Sequence, residues 1–188
     1  MAIRKKTRNI IFFYIIAITI FTISAAAIKN FNLVDYPKPF IKENSLNSVI
    51  IVGENANTGD TMSAVELGSA IGVPFDSSNI MLDTEIDNIK DKNVIIVGGP
   101  CANAAAAEIM GWPQKCDQDF EPGKAMIKLF QGLKGQEDNV ALLVAGYSVY
   151  DTTMACQILS NYKDYNLSGN EIETAGSILN GFAINLIK

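Results

Sequence analysis

Val94-Ile95-Ile96-Val97-Gly98-Gly99-Pro100-Cys101-Ala102-Asn103 is the stretch whose reading decides the fold. A β-branched run closed by glycines makes a short strand that is apolar on both faces. Such strands suit the interior of a parallel sheet with helices on either side. The unit recurs. Val49-Ile50-Ile51-Val52-Gly53 precedes it, and Val140-Ala141-Leu142-Leu143-Val144-Ala145-Gly146 follows. After each run comes a polar loop and then a helical pattern: Thr61 to Ile71, Ala104 to Met110, and Thr152 to Tyr162. In the last, Met154, Ala155, Ile158, Leu159 and Tyr162 form one apolar stripe. Asp60, Asn103 and Asp151 stand where helix N-caps belong. Strand, loop and helix in alternation predict a three-layer α/β sandwich of right-handed βαβ units with a mainly parallel sheet.

Outward from these units the pattern changes. Asn79 to Asp83 supplies another short strand. Ala125 to Gln131 fits helix or strand; the nearby Gly132 and Gly135 favour a strand running into a hairpin. Ser168-Gly169-Asn170, Glu171 to Ala175 and the alternating Phe182 to Ile187 predict a small C-terminal β ribbon. The folded domain is therefore expected over residues 49–188.

Before it lies a different kind of sequence. Arg4, Lys5, Lys6 and Arg8 are followed by an uncharged run from Asn9 to Ile28. As a hydrophobic helix, Ile10 to Ile28 would span about 28 Å, close to the ~30 Å hydrocarbon core. The basic flank predicts a cytoplasmic N-terminus and an exported remainder. Residues 1–28 fit an uncleaved signal anchor, which would hold the chain to the membrane, and equally a signal peptide cleaved near Ser24-Ala25-Ala26-Ala27. Residues 29–48, with Pro37-Lys38-Pro39, read as an extended tether.

The chain has 188 residues, 15 Lys+Arg against 20 Asp+Glu, and no histidine. Setting the four leader cations apart takes the net charge from −5 to −9. An acidic exported domain does not offer nucleic acid a basic footprint. Without histidine there is no Ser-His-Asp triad, no Cys-His pair and no His-ligated metal.

The loops after the strands are the candidate ligand edge, through Asn55, Asp60, Asn103, Ser148 and Asp151. A glycine after a parallel strand, opening onto a helix, is an anion-binding geometry. Gly53 to Asp60 lacks both the GxGxxG spacing and the P-loop lysine. Pro100 removes a backbone donor from the second loop. Sharp turning is the plainer use of these glycines. Asp60 and Asp151 also fit a general acid and base, or simple helix-start residues.

Cys101, Cys116 and Cys156 leave one thiol over in any intramolecular scheme. Gly111 and Pro113 let the chain turn back between Cys101 and Cys116. A bridge there closes a loop of about 15 residues. The spacing of the three matches no zinc pattern.

Taken together, these residues resemble the outer domain of archaeal S-layer proteins of the methanogen type. The resemblance runs through Leu33-Val34-Asp35-Tyr36-Pro37, Ile50-Ile51-Val52-Gly53-Glu54-Asn55 and Leu82-Asp83-Thr84-Glu85-Ile86. It is strongest from Ile96 to Asn103 and in Met110-Gly111-Trp112-Pro113 with Cys116. It continues in Gly123 to Phe130, Ala141 to Ser148 and Leu167 to Ile172. More distantly, the alternation is similar to bacterial cell-wall-binding repeats. The resemblance implies a Rossmann-like sheet, no enzymatic activity and no cofactor. It also implies a place on the cell surface, with envelope components or further copies of the chain as partners. The contrasting expectation is an extracytoplasmic ligand-binding or hydrolytic domain acting at the C-terminal edge of its sheet.

Overall fold

The computed structural model describes residues 30–133, 135, 138–177 and 181–186. The expected leader helix, 1–28, lies outside the described residues. Among the described residues no helix is long and apolar enough to cross a membrane.

Three buried strands form the centre: β3 (Ser48–Val52), β5 (Asn93–Val97) and β7 (Ala141–Gly146). Their Val, Ile and Leu side chains, half-buried Val49 apart, are buried on both faces, as continuous apolar runs require. β4 (Ile80–Leu82) pairs in parallel with β3, β3 with β5, and β5 with β7. β6 (Lys124–Phe130) then pairs antiparallel with β7. The hairpin reading of Ala125 to Gln131 is thus the observed one. The closing strands β8 (Glu171–Ser177) and β9 (Gly181–Leu186) pair antiparallel, and β8 also pairs with β6. They continue the main sheet, whose order is β4-β3-β5-β7-β6-β8-β9.

Helices lie on both faces, unequally. α1 (Thr58–Ala70) and α3 (Val149–Ser160) pack side by side over one face. Leu67, Ile158 and Leu159 meet Ile50, Ile95, Leu142 and Val144 there. Among the described residues the other face has only the six-residue α2 (Ala104–Ile109), whose Ala105 and Ala106 close on Ile51, Ile96 and Leu143. The sequence of β6 records this asymmetry. Ala125, Ile127 and Leu129 are buried beneath α3, while Lys124, Met126, Lys128 and Phe130 alternate outward and are half-buried.

Within the segment expected as an extended tether, residues 30–47 are folded and packed on the domain instead. They form 3-10 turns at Leu33–Asp35 and Lys38–Phe40 and a short hairpin, β1 (Ile41–Lys42) with β2 (Ser45–Leu46). Leu33, Tyr36 and Phe40 are buried in the α1/α3 core, and Tyr36 meets Tyr162 edge-on at 5.3 Å. Gln131 holds the Phe31 backbone at both its N–H and its carbonyl, each at 2.6 Å. Pro37 and Pro39 admit a single 3-10 turn there, and apolar burial decides the placement of the segment.

Candidate functional site

The C-terminal ends of β3, β5 and β7 share one edge. The chain leaves β3 and β7 towards α1 and α3 on one face, and leaves β5 towards α2 on the other. Adjacent loops that part to opposite faces open a crevice at the strand ends. A cleft of about 130 Å³ lies there, lined by Asn57 and Asp60, the Gly99–Ala102 turn, Asp117 and Phe120, and Tyr147 to Val149.

The glycines of this edge serve close packing. A Cβ on Gly53 would run into the backbone carbonyl of Ala102. One on Gly146 would meet the backbone of Asp151 and Thr152. Gly98 sits at φ +100°, a conformation that suits glycine.

Asn103 is used up internally. Its Oδ1 accepts the N–H groups of Ala105 and Ala106, capping α2, and its Nδ2 donates to the carbonyls of Val97 and Ile51. It staples two strands to a helix start and does not line the cleft. Asn55 is exposed on the β3 loop and does not line it either.

The helix starts at Asp60 and Asp151 fall a turn earlier than the sequence reading placed them. The caps are Asn57 and Ser148, and both aspartates are the third helical residue. Asn-x-x-Asp and Ser-x-x-Asp are the spacing of a capping box. In α3 the box closes: Asp151 Oδ2 accepts the Ser148 N–H at 2.9 Å and its hydroxyl at 2.6 Å, while Ser148 Oγ accepts the Asp151 N–H. In α1 it closes only in part. Asn57 Oδ1 accepts the Asp60 N–H at 3.1 Å, and Asn57 Nδ2 donates to Asp60 Oδ2 at 3.2 Å. Asp60 Oδ1 is buried and accepts no hydrogen bond among the described residues. Burial raises the Asp60 pKa from 3.8 to about 6.

Cys101 and Cys116 are joined by a disulfide, with Cα atoms 4.9 Å apart. The bridge forms one wall of the cleft and brings Asp117 and Phe120 to it. Cys156 is a buried free thiol on α3, and burial pushes its pKa up. Among the described residues no three His, Cys, Asp or Glu side chains gather as a metal site.

Of the five edge residues expected from sequence, the cleft gathers Asp60 and Ser148. It adds Asn57, Asp117, Phe120, Tyr147 and Thr152. Asp83 organises the edge from outside: its Oδ1 accepts the Glu54 N–H at 2.8 Å and its Oδ2 the Ala104 N–H at 2.6 Å. The Asn57-x-x-Asp60 spacing was a usable sequence signal. Asp83 offered none apart from the family resemblance.

A larger concavity, about 430 Å³, lies away from the strand ends, on the face that α2 leaves open. Its floor is the outward row of β6 beside that of β8. Lys124 pairs with Glu173 at 3.2 Å, and Lys128 with Glu171 at 2.6 Å.

Residues 73–163 match the family model described as S-layer like family, outer domain. The matched stretch contains β4 to β7, α2, α3 and both bridged cysteines. No curated protein matches the chain. The match of residues 73–163 to the S-layer-like outer-domain family supports a structural role at the cell surface.

Proposed function

We propose that this chain is a non-catalytic structural protein of the cell envelope that associates with copies of itself. The observation that carries the reading is the S-layer outer-domain match over residues 73–163, from β4 to α3. The edge supports it. Asp151, the candidate partner of Asp60 in acid–base work, is held by the Ser148 N–H and hydroxyl as a cap. Export places the acidic domain outside the membrane, with residues 1–28 as its anchor if they are retained.

The open face of β6 and β8 is the surface proposed for association, and a second copy is its occupant. Charge complementarity argues for this. A lysine row on β6 runs beside a glutamate row on β8. A two-fold axis along the strands, midway between the rows, sets each lysine row over the glutamate row of the other copy. Such self-complementary faces are the usual geometry of two-fold association, and Met126 and Phe130 add apolar area between the charges. Sedimentation of the full chain in detergent micelles tests the reading. The expected result is a dimer or larger species that Lys128→Glu weakens at least tenfold. A monomer at every concentration, or turnover of a substrate, overturns it.

A second reading, ligand binding at the strand C-terminal edge, is favoured by one observation: Asp60, a residue of the cleft lining, keeps a buried carboxylate oxygen that accepts no hydrogen bond among the described residues.

A further inference from the structure

We infer that Asn166 is a modification site: its side-chain amide carries an N-linked sugar, received from a polyisoprenyl-phosphate-linked donor on the outer side of the membrane. The inference rests on the placement of the domain outside the membrane and is independent of association through the open face.

The first support is the motif. Asn166-Leu167-Ser168 is the one Asn-x-Ser/Thr triplet in the 188 residues, and its centre is not proline. In an exported chain this triplet on a surface loop is the acceptor of N-glycosylation. It lies beyond residues 73–163, so the family match does not supply it.

The second is placement. Asn166 is exposed and lies outside helix and strand, between the 3-10 turn Tyr162–Asp164 and β8. The Leu167 N–H donates to the Tyr165 carbonyl at 3.1 Å, so Asn166 stands at the apex of a three-residue turn. Leu167 is buried in the α1/α3 core, and the Gly169 carbonyl accepts the Leu33 N–H at 2.8 Å. The loop is thus pinned beside an acceptor that stays outside. Among the described residues the Asn166 side chain has no hydrogen-bond partner, whereas Asn161 Nδ2 donates to the Gln157 carbonyl at 2.8 Å. The Asn166 amide is not committed to holding the fold.

The third is room. Asn166 and Ser168 line a shallow concavity of about 300 Å³ together with Val34, Tyr162 and Tyr165, and its lining has no charged side chain. Val34 is 63% exposed. The C–H faces of a sugar ring are apolar, and the tyrosines and Val34 offer them a neutral wall. In the transfer the Asn166 amide nitrogen replaces a phosphate oxygen on the anomeric carbon. A C–N bond forms, and the C–O bond to phosphate breaks with its electron pair leaving on the phosphate. The amide loses one proton to the medium, and nothing is oxidised or reduced. A membrane transferase supplies the catalysis, and this chain supplies the acceptor.

The test isolates the full chain from the cells that make it and weighs its tryptic peptide 164–188 by mass spectrometry. The peptide is expected to exceed its sequence mass by a whole number of sugar residues, with fragmentation placing the increment on Asn166. Asn166→Gln and Ser168→Ala are expected to lose the increment, and Ser168→Thr to keep it. An increment that survives Asn166→Gln or Ser168→Ala, or that fragmentation places on another side chain, overturns the assignment. So does its loss in a folded Ser168→Thr. A bare peptide from a chain that a membrane-impermeant lysine reagent labels on intact cells overturns the inference and leaves the surface placement standing. A bare peptide from a chain protected until lysis overturns both.

Discussion

The carboxylate of Asp83 accepts the backbone N–H of Ala104 at 2.6 Å, so the residue that follows β4 holds the first N–H of the helix that follows β5. Its other oxygen holds the Glu54 N–H, which ties the β3 loop into the same joint. Three segments of the edge are thus fixed by one side chain. Asp83→Ala leaves both N–H groups without that acceptor and is expected to cost about 2 kcal/mol, at the upper end of a lost helix cap. Asp83→Asn retains one acceptor oxygen and is expected to cost less. Thermal or urea unfolding ranks the two, and equal stability of Asp83→Ala and the parent chain would contradict the joint.

Asp60 makes stability depend on pH in an uncommon direction for a carboxylate. Its folded pKa is raised to about 6 from an ordinary 3.8. The folded state therefore holds the proton more tightly than the unfolded chain does. The stabilisation is fully present below about pH 3.8 and is lost as pH rises through about 6. Asp60→Asn cannot ionise. Relative to the parent, it is expected to gain stability as the pH rises from 4 to 8. Unfolding free energies of both chains across that range test this, and a pH-independent difference would contradict it.

The disulfide and the buried thiol predict a distinct labelling pattern. A thiol reagent added to the folded, unreduced chain is expected to modify nothing, because Cys156 is buried and the other two cysteines are bridged. Unfolding without reductant exposes one thiol, and reduction exposes three. Cys101→Ser with Cys116→Ser opens a loop with a sequence separation of 15, at an expected cost of about 3 kcal/mol. It also frees the wall that carries Asp117 and Phe120. Three reactive thiols in the unreduced chain would contradict the bridge.

Two glycines of the edge separate close packing from simple turning. Gly53→Ala drives a methyl into the Ala102 backbone, which has no rotamer to escape by. A loss of about 3 kcal/mol or more is expected. At Gly99 the nearest atom to an added Cβ is the Gly146 carbonyl oxygen at 3.7 Å, an ordinary contact. Gly99→Ala is expected to change stability by less than about 1 kcal/mol. Comparable melting temperatures for the two variants would contradict the assignment.

The sheet was legible because its strands announce themselves locally. Val49 to Val52, Val94 to Val97 and Val140 to Val144 are apolar on both faces, and only a position between two layers accepts that. Of the three expected caps Asn103 is one, while at α1 and α3 the aspartate is the third helical residue and its partner three residues earlier, Asn57 or Ser148, does the capping. The cleft was half legible. Asp60 and Ser148 stand at helix starts that follow strands, a position the local sequence pattern marks. Asp117 and Phe120 reach the cleft through the Cys101–Cys116 bridge, a contact that no local pattern encodes. The segment 30–48 failed for a related reason. Pro37 and Pro39 report on local backbone freedom, and the burial of Phe40 depends on α1 and α3, far along the chain.

The central claim, association of copies on the outer surface, is tested most directly by cross-linking on intact cells. A membrane-impermeant lysine reagent is applied, and cross-linked peptides are identified by mass spectrometry. The account predicts links between copies at Lys124 and Lys128, lost in Lys128→Glu. Protection of the whole chain until the cells are lysed, or labelling with no link between copies, would contradict it.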